Sequence, residues 1–204
     1  MDFLIFLAII GFGLLLLYWA KIGQQAEDEV LSKKYKALYE RINSKYSIQK
    51  HYIYKGEQGI AFDSQTDKII LFNTVSDKVF KKQEILQVEI VEDGNTISQI
   101  SRTGQLGGAL LGTMIAGTAG AIVGGLSASR SKVEKITDMK LRVIVDDTSS
   151  PIHEVTFFHT SKNEAIKKSD ATYKQVYRTI LEWQKIVEIL IKRADQEEQK
   201  LNIN

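Results

Sequence analysis

Residues able to do acid–base, nucleophilic or metal chemistry are few in this chain, and their spacing isolates them. The three histidines, His51, His153 and His159, include no pair at i, i+4 and no HExxH frame. His153 and Glu154 fall on a strand pattern, which sends neighbouring side chains to opposite faces. That spacing gives a metal site no support. Cysteine is absent, which removes disulfides, thiolate ligands and thiol nucleophiles. The adjacent carboxylates Asp146 and Asp147 precede Thr148-Ser149-Ser150-Pro151, a turn composition, and read as solvated turn formers. The glycine-rich segment between Arg102 and Arg130 has no lysine with which to neutralise a nucleotide phosphate, and neither GxSxG nor a strand-to-helix GxGxxG occurs. The expectation is a protein that is not an enzyme, with no cofactor and no metal.

Composition bounds the partners. The 204 residues carry 27 basic and 25 acidic side chains, a net charge of +2, so there is no broad positive field to gather nucleic acid. A hydrophobic fraction of 44% suits one folded domain with apolar residues to spare.

Much of that surplus lies at the amino terminus. Phe3 to Ala20 is free of charge and would make a helix about 27 Å long, close to the hydrocarbon thickness of a bilayer. Only Met1 and Asp2 precede it, without the basic start of a cleaved signal peptide. Tyr18 and Trp19 stand where aromatic side chains meet headgroups, and Lys21, Lys33, Lys34 and Lys36 follow. Residues 1–21 are therefore expected to be a transmembrane signal-anchor in the plasma (inner) membrane, single-pass, with the N-terminus outside and the bulk cytoplasmic. Residues 22–46 follow as an amphipathic helical stalk, with Leu31, Tyr35, Leu38 and Ile42 on one face. That face could pack on the chain's own domain or on a second copy.

Beyond residue 46 short runs of β-branched and aromatic residues predict strands at 51–54, 59–62, 68–72, 78–80, 84–91, 139–145 and 152–158, seven in all. Leu86, Val88 and Ile90 alternate with Gln87 and Glu89, as in an antiparallel sheet with one wet face. Ser161 and Glu164 have the spacing of a capping box. Asp170 could cap a long helix whose apolar stripe is Tyr173, Val176, Ile180, Trp183, Val187, Leu190 and Ala194. The expected class is α+β, with the domain formed by 47–101 and 131–195 and a polar tail at 196–204.

The residues between, 102–130, interrupt this pattern. Gly104, Gly108, Gly112, Ala116, Gly120 and Gly124 recur every fourth position, giving a helix one smooth stripe of small residues beside exposed leucines. Such a glycine zipper needs a cover: a close helix partner, lipid, or the chain's own domain. A two-limbed hairpin turning near Gly117 and dipping into one leaflet is the preferred form. A soluble hairpin and a full crossing are the alternatives, and the crossing would part the two halves of the domain. Arg102 and Arg130 flank the segment and are expected at the membrane interface.

Taken together, the Val91-Glu92-Asp93-Gly94-Asn95 turn, Ser101-Arg102, the glycine-rich insert and the strand ending Val145-Asp146-Asp147 resemble bacterial PH-like domain proteins with a glycine-zipper insertion, small proteins of bacteria and phages. The resemblance implies a seven-strand PH-like antiparallel barrel plugged by a C-terminal helix, and a membrane or partner role; the N-terminal anchor is an addition to that pattern. The expected function is a membrane-anchored binding or scaffold protein. Its partners would be the lipid bilayer, further copies of the chain as a homo-oligomer, and a lipid or protein ligand of the PH-like domain. The alternative is a membrane-permeabilising or exclusion effector in phage defence or superinfection immunity. Nucleic acid is not expected as a partner.

Overall fold

Local sequence dictates a helix at each end of the chain and strands between. The computed structural model describes residues 2–102 and 135–203, with side chains over 12–102 and 135–201. One continuous helix, α1 (Asp2–Asn43), runs through both the expected anchor and the expected stalk. The strands follow as β1 (Ile48–Tyr54), β2 (Gln58–Asp63), β3 (Lys68–Asn73), β4 (Asp77–Lys81), β5 (Ile85–Glu92), β6 (Asn95–Ser101), β7 (Lys135–Ile136), β8 (Asp138–Val145), β9 (Ile152–His159) and β10 (Ile166–Lys167); helix α2 (Ala171–Ile203) closes the chain.

All pairings are antiparallel. The first sheet has the order β1-β2-β3-β4 and the second β6-β5-β8-β9, while β7 and β10 form a two-stranded ladder among the described residues. Two hairpins turn through consecutive left-handed residues, Lys55-Gly56 and Asp93-Gly94, the backbone that matches strand twist.

The main core lies between the sheets and under α2. Ile180, Trp183, Val187 and Leu190 descend into it and meet Val88, Ile90, Leu141, Val143 and Phe157, all buried. Burial of each such side chain favours folding by about 1.5–3 kcal/mol. Gln184 beside Trp183 is buried too, and its Oε1 accepts the Ser98 hydroxyl at 3.0 Å. A second cluster lies on the opposite face of the first sheet, where Leu38 and Ile42 of α1 cover Ala61, Ile70 and Phe72. The first sheet is thus covered on both faces, which is why β2 and β3 are almost wholly buried.

The closed seven-strand barrel is corrected by this topology. Backbone pairing stops between β4 and β5, where a 3-10 turn at Lys82–Glu84 intervenes. At the other seam side chains bridge the sheets: Tyr52 and Tyr54 donate to the carbonyls of Phe157 and His159, and Gln58 donates to Thr156. The expected capping box is also absent. Ser161 precedes a 3-10 turn, Lys162–Glu164, without a side-chain cap, and Glu164 accepts the Thr160 hydroxyl at 2.8 Å. Asp170 accepts the Lys167 amide at 2.8 Å, ordering the turn into α2.

Candidate membrane-engaging site

Four successive leucines, Leu14 to Leu17, necessarily point all round a helix, and each is 52–69% exposed. Tyr18 and Trp19 continue this surface at 65% and 70%, with Lys21 exposed beside them. A helix apolar on every side normally lies in a core or in lipid, yet among the described residues nothing covers this one. The apolar run begins at residues 3–11, whose side chains lie outside those described; among the described residues no helix is long and apolar enough to cross a membrane.

The other end of α1 is seated firmly. Gly56 packs so close to the helix that a Cβ there would lie 2.6 Å from the Lys34 Cβ. The Tyr35 hydroxyl is 2.8 Å from His51 Nε2, and the Tyr39 ring lies 4.5 Å from the imidazole. Burial disfavours a charge on His51 and lowers its pKa. Below this, Arg41 and Lys45 donate to Asp77 Oδ1 at 2.9 and 3.1 Å, and the Tyr46 hydroxyl donates to Oδ2. The Tyr46 hydrogen bond is the largest influence holding the Asp77 carboxyl below its usual range, and the same bond pushes the Tyr46 phenol up to about 12. Sequence reasoning found Leu38 and Ile42 from their spacing. It missed Gly56, Tyr46 and Asp77, whose roles depend on strands brought beside the helix.

The insertion is rooted at two separated points. β6 and β8 are parallel and flank β5, so residues 103–134 carry the chain from one end of the sheet back to the other. Arg102 donates its amide to Leu86 near the start of β5, while Asp93 beyond the end of β5 accepts the amides of Thr137 and Asp138. The roots therefore stand about 20 Å apart, from the rise of the intervening β5 residues. Gly104, Gly108, Gly112, Ala116, Gly120, Gly124 and Arg130 lie outside the described residues, as does the expected hairpin. Both flanks share one hydrogen-bonded sheet, so the described residues before and after the insertion lie on one side of any bilayer.

Arg102 itself is enclosed rather than displayed. Its Nε donates to Asp195 at 2.7 Å, Nη2 lies 3.0 Å from Glu198, and Nη1 donates to the Gln83 carbonyl. This ties the entry to the insertion to the last turns of α2.

The buried acids are likewise committed to structure. Glu89 accepts bonds from Gln87, Thr96 and Arg142; Glu92 accepts from Tyr173 and pairs with Lys168 at 2.7 Å. Among the described residues no group of three or more histidines and acids could hold a metal.

Two antiparallel four-stranded sheets capped by a C-terminal helix, with a long insertion returning the chain from β6 to β8, define a PH-like domain carrying an inserted segment. The chain belongs to the family described as glycine zipper containing PH domain, which it matches over residues 47–159. It is 27% identical over 201 residues, 93% of its length and 86% of the relative's, to the SPbeta prophage-derived uncharacterized membrane protein YomJ of Bacillus subtilis (strain 168). It is 32% identical over 117 residues to the Immunity protein of Bacillus phage SPbeta, covering 55% of this chain and 56% of that one. No solved structure matches.

Proposed function

We propose that this protein is a membrane-anchored, non-enzymatic scaffold whose PH-like domain engages a lipid or protein ligand and whose glycine zipper inserts in the membrane or joins copies of the chain. One observation carries the anchor: Leu14 to Trp19 is apolar on all sides and is covered by no other described residue, in the first half of a helix whose other end is clamped to the domain. The name of the B. subtilis relative, a membrane protein, supports it. The lysines after Trp19 favour a single pass with the N-terminus outside and the domain in the cytoplasm. Alkaline carbonate extraction of cell membranes tests the anchor. The full chain stays with the membrane, whereas Leu14→Asp with Leu15→Asp, at about 2.5–3.5 kcal/mol for each acid deep in a span, releases it. A variant that stays with the membrane overturns the reading.

A second reading is favoured by the phage relative's name, Immunity protein: the chain is an exclusion effector that permeabilises the membrane or blocks a second phage. Expression in a sensitive host then lowers phage plating efficiency. Unchanged plating removes this reading.

A further inference from the structure

The short β7–β10 ladder sets Lys135 directly opposite Lys167, both exposed. Like charges in that position repel, and sheets ordinarily avoid the arrangement. Lys174 and Arg178 extend the positive surface along the first two exposed turns of α2. Among the described residues none of these four cations takes part in an ion pair. Of the neighbouring acids, Glu92 is paired with Lys168, while Asp170 and Glu164 accept the Lys167 amide and the Thr160 hydroxyl and form no ion pair with these cations. Two facing lysines that make no ion pair of their own leave positive charge on this surface that an external anion can offset.

Its place in the fold indicates where that counter-charge lies. The arm α1 leaves the domain over Gly56, in the β1–β2 turn. Tyr54 of that turn donates to the His159 carbonyl, and the next residue, Thr160, donates its amide to Thr137, two residues from Lys135. The arm and the lysine pair thus share one end of the β-structure, while the carboxylate clamp on Arg102 lies at the other. Lys135 also follows Arg130 and Lys132 in sequence.

Resting on the membrane-anchor reading, we propose that Lys135, Lys167, Lys174 and Arg178 form a docking face for the anionic phospholipid headgroups of the bilayer in which α1 is anchored. The face selects charge rather than a particular headgroup, because the cations lie on an open surface. Each of them near an anionic bilayer is worth about a fivefold change in the ratio of docked to undocked domain.

The cysteine-free chain allows a single label to test this. Full-length Asn163→Cys, carrying a thiol-linked fluorophore on the exposed turn before β10, is reconstituted into vesicles of phosphatidylcholine alone or mixed equally with phosphatidylglycerol, each with a headgroup-attached quencher. Quenching is expected to be severalfold stronger in the mixed vesicles and to fall with added salt. Lys135→Gln with Lys167→Gln weakens it, and adding Lys174→Gln weakens it further. Equal quenching in both vesicle types, or quenching insensitive to salt and to these exposed substitutions, overturns the docking face while leaving the anchor standing. A chain that fails to float with either vesicle overturns the anchor, and this proposal with it.

Discussion

The two long helices solve the same sequence problem in opposite ways. α2 alternates its apolar residues by three and four, so one stripe from Ile180 to Ala194 enters the core and the remaining faces are mostly polar, with Ile189 and Leu201 exposed. α1 does this only near its carboxyl end, at Leu38 and Ile42; from Leu14 to Trp19 apolar residues occupy every face and none is covered by the described residues. A helix of the first kind is held by the domain it completes. A helix of the second kind needs a non-aqueous partner, and the domain supplies it with direction instead of cover.

Substitutions in α1 and α2 should therefore separate stability from placement. The largest stability loss is expected for Trp183→Ala, where removal of a fully buried ring costs about 3–5 kcal/mol, read as a lower unfolding midpoint in denaturant. Leu14→Asp with Leu15→Asp, expected to release the chain from membranes, should leave that midpoint unchanged. A shared loss would show that the arm is packed on protein after all.

The seat between helix and domain comes next. Gly56 has φ +66 and no room for a Cβ against Lys34, so Gly56→Val should cost about 1–3 kcal/mol in backbone strain alone. It should also expose α1 to proteolysis near Tyr35. An unaltered cleavage pattern would mean that Gly56 does not set the angle of the arm. Asp77→Ala removes the acceptor shared by Arg41, Lys45 and Tyr46, at a cost of about 1–3 kcal/mol.

The seat also predicts a pH window. Asp77 titrates lower when folded than unfolded, so its contribution is complete above the ordinary carboxyl value of 3.8 and is lost as pH falls through the depressed value. Tyr46 titrates higher when folded, so its contribution is complete below 10.0 and is lost as pH rises towards about 12. Proteolytic protection of α1 should hold between these limits, and Tyr46→Phe should abolish the alkaline loss. The smallest effect is expected for Lys33→Ala, which removes the exposed Glu29 pair at about 0.3–0.5 kcal/mol.

Elements whose pattern is local were legible in the sequence. The 3.6-residue stripe of α2 and the alternation in β5 and β8 placed Trp183, Val88, Leu141 and Val143 in the core correctly. β6 was missed because Asn95 to Ser101 is polar and follows a turn; its strand state comes from pairing with β5. The two-residue strands β7 and β10 are too short to carry a period. Closure into a barrel was expected from the resemblance, but continuity of backbone pairing depends on how distant strands meet, and side chains occupy that seam. Glu89 was read as facing water, yet bonds from Gln87, Thr96 and Arg142 let it be 6% exposed. The enclosure of Arg102 was equally hidden, since Asp195 and Glu198 follow it by more than ninety residues.

Topology in intact cells tests the anchor most directly. Single cysteines at Asp2 and at Asn204 can be labelled with a membrane-impermeant thiol reagent. Asp2→Cys is expected to label in intact cells, and Asn204→Cys only after permeabilisation. Equal labelling of the two positions before permeabilisation, or of neither until after it, would contradict a helix that enters the bilayer at one face and holds its domain at the other.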